Sequence, residues 1–329
     1  IFFTDVEVKP LPTLERQHLV TDLFSRTLQD RPTNTVLMAP VINELNILCG
    51  ELGSLNVNLR DIVNRTTTTF GSIVLARMLT EPAADASIPI QRQKFIRALL
   101  EDEKLYNACE QALLSAQASE NHLLTLWSEK NPLDTKQIHD MLFFSWDFCK
   151  PLNKSPKFLE SIRAVLGGFG VGYSLMYLGV GASLAYNYKD YFNGSLCAGV
   201  GLFSGYKMYQ MVSGIERFKI ATQEFMIHTR SMIDALKDVS NLTDSYVLDQ
   251  NYHGQLKNFV DQTTTSNGMN RLFDLLKKDT FKGQASMFSY LGRALAAYKH
   301  MEEVKDEFTP ALEALGEIDA LFSAAKLIK

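Results

Sequence analysis

An all-α fold follows from three features of the 329-residue chain. Apolar residues recur at spacings of three and four along most of its length, the period of one helix face. Prolines and glycines punctuate those runs where helices would end. The alternation of a half-buried strand does not develop beyond short stretches near residues 35–48. Hydrophobic residues make up 46% and charged residues 21%, which is enough for a packed core and excludes disorder over most of the chain.

The elements read in order as follows. Residues 13–29 carry Leu14, Leu19, Leu23 and Phe24 among charges, with Pro32 beyond the end. Residues 35–62 hold short apolar runs broken by Gly50 and Gly53. A compact helix is predicted over 70–79, after a threonine run and before Glu81-Pro82. Residues 88–114 continue helical, with Ile90, Phe95, Leu99 and Leu113 on the apolar side. Residues 121–149 are helical with a break at Asn131-Pro132, and Pro151 and Pro156 mark a loop. Over 213–248, Ile215, Phe218, Thr222, Phe225, Thr229, Met232, Leu236 and Val239 form a coiled-coil-like seam. A helix of ~35 residues is roughly 50 Å long, a length that suits a lever arm as well as a long bundle helix. Short helices run on to Lys278, a helix follows Gly283 over 284–308, and a last amphipathic helix after Pro310 turns Leu312, Leu315, Ile318, Leu321 and Phe322 inward. The chain thus divides into an N-terminal helical segment (1–34), a first core part (35–163), an apolar hairpin (164–215) and a long helix returning to the core (216–329).

The hairpin is the unusual segment. No charge occurs from Ala164 to Tyr188, and Lys207 alone interrupts the run from Tyr191 to Ile215. Val165 to Tyr186 would span about 33 Å as a helix, against ~30 Å for a bilayer core. Glycines crowd both arms, among them Gly172, Gly199 and Gly205. Glycine weakens a helix in water by ~1 kcal/mol, yet it lets helices approach closely in lipid. Lys154, Lys157 and Arg163 flank one end, and Arg217 and Lys219 the other. That pattern keeps both outer ends cytoplasmic if the pair spans a membrane. A buried hairpin of a soluble protein is the alternative, and Lys207 inside the second arm favours it.

Charge and motifs narrow the function. The net charge of -4 lacks the basic footprint of a free-standing nucleic-acid module. Cys49, Cys109, Cys149 and Cys197 form no close pair, so they read as reduced thiols rather than a disulfide or zinc framework. The sequons at Asn64, Asn193 and Asn241 lack a secretory context, because residues 1–10 have no signal-peptide pattern. The nearest imitation of a phosphate loop, Gly199 to Lys207, has Tyr206 where glycine belongs and Met208 after the lysine. His18, His122, His139, His228, His253 and His300 include no pair at metal-binding helical spacing. No catalytic residue, metal ligand or cofactor site is therefore assigned. A chain that lacks an initial Met and stops at Lys329 within a helical pattern also reads as a piece of a longer protein.

Two separated stretches carry a resemblance. Residues 65–82 read RTTTTFGSIVLARMLTEP: a threonine-rich turn, a glycine, leucines on one face and a proline, here Thr67, Thr69, Gly71, Leu75, Leu79 and Pro82. Ile88 and Ile90-Gln91-Arg92-Gln93 follow. Near the other end, Leu291-Gly292-Arg293-Ala294-Leu295 leads on to Leu315-Gly316-Glu317-Ile318-Asp319-Ala320-Leu321-Phe322-Ser323-Ala324-Ala325 in a small-residue helix. In this order the stretches resemble the core domain of MutS-family mismatch-repair proteins, over roughly 35–329. Thr69 suits a helix cap and Gly71 a close helix contact. The resemblance implies a MutS core-type helical bundle with long lever helices, into which the glycine-rich hairpin is inserted. It also implies a C-terminal ABC-type ATPase outside this chain, with ATP and Mg as that domain's ligands. DNA contact at the lever tips and a homodimeric whole protein are implied as well. Phe158-Leu-Glu160 has the family's DNA-wedging form but lies outside an N-terminal domain, so it reads as chance. The hairpin adds a membrane as a second partner class and places the protein in the cytoplasm, tethered to the inner membrane's cytoplasmic face. A membrane-anchored helical scaffold without a DNA role is the competing reading.

Overall fold

The computed structural model describes residues 10–28, 47–48, 58–81, 85–128, 143, 147–187, 189, 191–244, 250–263, 265–283 and 290–329. Every regular element among them is helical. In order they are α1 (Thr13–Leu28), α2 (Leu59–Val63), α3 (Thr69–Thr80), α4 (Ser87–Glu101), α5 (Glu103–Leu124), α6 (Pro156–Asn187), α7 (Tyr191–Thr243), α8 (Gln250–Val260), α9 (Asn267–Leu276), α10 (Leu291–Val304) and α11 (Thr309–Ile328), with short 3-10 turns between some of them. The protein is all-α, as the periodicity predicts. The weak strand pattern of 35–48 and the break at Asn131-Pro132 lie outside the described residues, apart from Ile47 and Leu48.

The chain forms two compact units. Unit 1 comprises 1–8, 131–227 and 274–300, and unit 2 comprises 9–130, 228–273 and 301–329. α7 contributes to both, because the predicted start at residue 213 is not a helix end: the arm beginning at Tyr191 and the long helix are one 53-residue element. All eight seam residues of α7 are buried, which is what a continuous three-and-four spacing requires.

Unit 2 is built around α11. Ala311 to Ser323 are buried without interruption, so this helix is covered on every side rather than amphipathic as its leucine spacing suggests. α3, α4 and α8 pack on it. Aromatic pairs fill the gaps: Tyr106 against Phe322 at 4.7 Å, and Phe259 edge-on to both Phe273 and Phe308 at 5.6 and 5.1 Å. Pro310 occupies the first turn of α11, where its missing N–H leaves no bond unmade.

Unit 1 holds the hairpin. α6 begins against α10: a Cβ on Gly292 would sit 1.9 Å from the Pro156 carbonyl oxygen, so only glycine fits there. The Gly292 N–H donates to Glu160 Oε2 at 2.9 Å. Glu160 of the F-x-E stretch thus serves a helix start. Phe225 meets Tyr298 edge-on at 6.2 Å, and Gln223 Nε2 donates to the Thr280 carbonyl.

The two arms of the hairpin pack through their smallest residues. A Cβ on Gly181 would lie 2.7 Å from the Gly194 carbonyl oxygen, and one on Gly201 3.1 Å from Leu178 N. Ser174 and Ser204 share a hydrogen bond of 3.1 Å across the pair. Among the described residues no helix is long and apolar enough to cross a membrane. This corrects the expectation of a transmembrane pair over 164–215 for the described stretch. Glycine, serine and tyrosine dilute the apolar residues there, and α7 runs on into Glu216 and Arg217. The side chains of 162–171, Val165 included, lie outside the described residues.

Candidate functional site

The two stretches that carry the resemblance meet in unit 2. Thr68, in extended conformation, caps α3, and its hydroxyl accepts the Gly71 N–H at 3.0 Å. The cap is therefore Thr68, one residue before the Thr69 expected from sequence. That same hydroxyl donates to Asp319 Oδ2 at 2.7 Å. The Thr68 N–H also reaches Oδ2 at 2.7 Å, and the Thr67 N–H straddles both oxygens at 3.0 and 3.1 Å. One carboxylate from α11 thus gathers the turn that starts α3. It satisfies donors that a helix start leaves without intrahelical partners, and it places negative charge at the positive end of the helix.

Gly71 is dictated by this contact. A Cβ there would fall 2.2 Å from Asp319 Oδ2 and 2.6 Å from its Cγ. Gly316 makes the reciprocal approach, since a Cβ on it would fall 2.8 Å from the Phe70 carbonyl oxygen. α3 and α11 are held closer than two alanines would permit.

Neighbouring residues extend the contact along α11. Ser323, one turn after Asp319, accepts the Arg65 N–H at 2.7 Å and donates to the Val63 carbonyl at 3.1 Å. Lys326 Nζ reaches Thr67 Oγ1 at 3.3 Å and Glu110 at 3.5 Å. In the other direction, Glu317 Oε1 takes both Nε and Nη2 of Arg92 at 3.1 and 2.9 Å, and Glu313 pairs with Arg77 at 2.5 Å. The Thr69 N–H donates to Glu120 Oε1 of α5 at 2.8 Å. Glu120, Glu313, Glu317 and Asp319 are all at most 3% exposed. Buried carboxylates at that density persist only with dedicated partners.

Burial sets their acidity. The Glu120 carboxyl is pushed up to about 7 by burial and by the nearby charge of Asp319, against the Thr69 hydrogen bonds and the charge of Arg16. Burial also raises Asp319 above the ordinary aspartate value, while its bonds from Thr67 and Thr68 and the Lys326 charge hold that rise back. Every hydrogen bond named to Asp319 comes from a donor, which is the environment of an ionised carboxylate. Cys109, a free thiol beside this cluster, is pushed up to about 12 by burial and by Asp319, and so stays protonated.

The structure thus assembles Thr67, Thr69, Gly71, Arg92 and Asp319 around one helix. Leu75 is buried beside them and Leu79 is half-buried. Gln93 is exposed and takes no part in the site, and Pro82 lies outside the described residues. Sequence reading missed Thr68, Glu120, Arg77, Glu313 and Ser323. Glu313 and Glu317 sit four apart, with Asp319 beyond them, on a helix whose other residues are mostly apolar, and those charges in a buried pattern were the available signal. It also missed the stacking of His122 on His228, whose rings are parallel at 3.8 Å; burial and the neighbouring ring hold His122 down to about 4.

Of the hairpin positions, Gly172 and Gly199 have open space where a Cβ would be, and Gly205 faces Ser174. Tyr186 is exposed, and Lys207 Nζ lies 5.6 Å from the Phe203 ring. Among the described residues no three His, Cys, Asp or Glu side chains converge as metal ligands. Chemically the unit 2 cluster is a fastening: its carboxylates point at backbone donors and cations of this chain. No protein-family model, no curated protein and no solved structure matches the sequence or the fold.

Proposed function

We propose that this chain is a MutS-related lever and core module, itself non-catalytic, that couples an ABC-type ATPase elsewhere in the whole protein to DNA or membrane contact. The observation that carries the reading is the junction of Asp319 with Thr67, Thr68 and Gly71. The two stretches that carry the MutS resemblance lie about 250 residues apart in the chain, and a shared core gives a physical reason for both. A closing helix tied to the opening helix of the core carries a displacement at its own end directly into α3, because close-packed helices shift as bodies rather than deform. α7 is the candidate lever. ATP and Mg belong to the ATPase domain and have no assigned site in this chain, and the whole protein acts as a cytoplasmic homodimer.

DNA contact has the weaker support. At the C-terminal end of α7, Asp244 pairs with Lys257 at 2.5 Å, which neutralises a cation that phosphate binding would use. The competing reading, a membrane-anchored scaffold without a DNA role, is favoured by the exposed apolar faces of α6 and α7. Proline substitution at Met232 and Leu236 in the whole protein discriminates. Loss of ATP-dependent DNA binding, measured across a salt series, supports the lever. ATP-dependent binding that survives the broken helix refutes it, and the absence of salt-dependent DNA binding in the wild type leaves the scaffold.

A further inference from the structure

The hairpin of unit 1 is built inside out. Burial along α6 peaks at Ser174 and Gly181, and along α7 at Gly194 and Gly201, with the residues three or four positions beyond each half-buried. That is a heptad seam, and its central positions hold glycine and serine. The outer faces carry the large side chains instead: Leu175, Met176, Leu196, Leu202 and Phe203 are each more than half exposed. An open apolar groove of about 400 Å³, lined by Phe192, Leu196, Val200 and Phe203 over the bare backbone of Gly199, runs along α7.

In water this distribution is the wrong way round, because burial of large apolar side chains is what stabilises a helix pair. In hydrocarbon the outer faces cost nothing. Close backbone approach through small residues, with a serine hydrogen bond across the seam, is then what holds helices together. Charges gather at the open end, where Lys157 and Arg217 are exposed, and at the turn, where Lys189 is exposed; Lys207, exposed in α7 with its Nζ 5.6 Å from the Phe203 ring, is the one charge between them. Tyr186, Tyr191 and Phe192 stand exposed beside that turn. Aromatic rings and charges gathered toward the two ends of an apolar stretch are the arrangement a bilayer selects, and the one lysine within it has a stem long enough to carry its ammonium toward the headgroups.

Over the described residues neither helix is by itself apolar enough to cross a membrane, but the residues that dilute α6 and α7 are largely those of the seam, and we infer that the hairpin is seated as a pair in a lipid bilayer, with its outer faces against acyl chains and the Gly181–Gly194 seam dry between the arms. The inference is independent of the reading of unit 2. It is tested by mixing the full chain with phosphatidylcholine vesicles during detergent removal and floating them in 1 M salt. The protein should float with the vesicles, and Leu202→Asn with Phe203→Asn should reduce the floating fraction at least about tenfold. Both side chains are exposed, so helicity by circular dichroism should not change. The brominated analogue of the same lipid should quench the indole introduced by Leu196→Trp in a Trp127→Phe, Trp146→Phe background. A wild-type chain that stays at the bottom of the gradient overturns the proposal. So does a chain that leaves the vesicles in 1 M salt. Self-association in proportion to concentration without lipid, while the Leu196→Trp indole escapes quenching, also overturns it; in that case the face belongs to a second copy.

Discussion

Gly71→Ala reverses the ordinary sign of a helix substitution. Replacing an interior helical glycine by alanine stabilises by up to ~1 kcal/mol when the methyl meets nothing. At Gly71 the methyl carbon would lie 2.2 Å from Asp319 Oδ2 and 2.8 Å from Asp319 Cβ. Either α3 moves away from α11, or Asp319 rotates and surrenders its bonds to Thr67 and Thr68. Overpacking a well-filled core costs ~1–3 kcal/mol, and each hydrogen bond to a charged group is worth about 1.5–3 kcal/mol. The net expectation is destabilisation of roughly 2–4 kcal/mol after the propensity gain. Urea unfolding followed by circular dichroism measures it, with Gly172→Ala as the control, since a Cβ there has no neighbour within 4 Å. A double-mutant cycle with Asp319→Ala should show coupling of at least about 1 kcal/mol, because removing the carboxylate removes the two closest contacts, at 2.2 and 2.6 Å, and leaves only the approach to Cβ. Destabilisation that adds without coupling, or a stabilised Gly71→Ala, would refute the contact.

The buried charges and the hairpin seam set three further tests. Glu120 has its carboxyl raised to about 7 in the folded chain from an ordinary 4.5, so the folded state holds the extra proton between those values. Its contribution to stability is full below about pH 4.5 and is lost as pH rises through 7, on the order of 3 kcal/mol in all. His122, depressed to about 4 from 6.5, gives the opposite slope between those values. The difference in Tm between wild type and Glu120→Gln over pH 4 to 8 therefore isolates Glu120, and parallel curves would contradict its assignment. Arg77→Met leaves Glu313 buried without that cation and should cost about 3–5 kcal/mol, read as a shift in urea midpoint, whereas Arg77→Lys should cost less. Gly181→Val should separate the hairpin arms, since its Cβ meets Gly194 O and Ala198 N within 3 Å. A disulfide engineered between positions 174 and 204 should then fail to form, and efficient closure would contradict the seam.

The helical class and the α7 seam were legible because each rests on periodicity alone. Ile215 through Val239 needed no knowledge of what they pack against. The order of motifs pointed to Thr67, Gly71 and Asp319, but nothing in the order said that they touch. That contact depends on α11 crossing α3 at two glycines, a tertiary fact without local trace. The cap moved from Thr69 to Thr68 because four consecutive threonines offer equal local chemistry, and the choice is made by which hydroxyl Asp319 can reach. α11 was read as amphipathic from its leucines. Its alanines, glycine and serine proved equally buried, because small residues record close packing and not only exposure. The predicted start at residue 213 falls inside α7 because a glycine- and serine-containing stretch still propagates as helix.

ATP hydrolysis by the whole protein, with and without DNA and vesicles, tests the coupling most directly when wild type and Asp319→Asn are compared. Asparagine preserves the shape of the side chain but turns an amide donor toward the Thr67 and Thr68 N–H groups, so the junction loosens without a cavity. The account predicts that DNA or vesicles change the wild-type rate and that Asp319→Asn loses at least most of that response. A protein that hydrolyses no ATP, or a response that is the same in both, contradicts it.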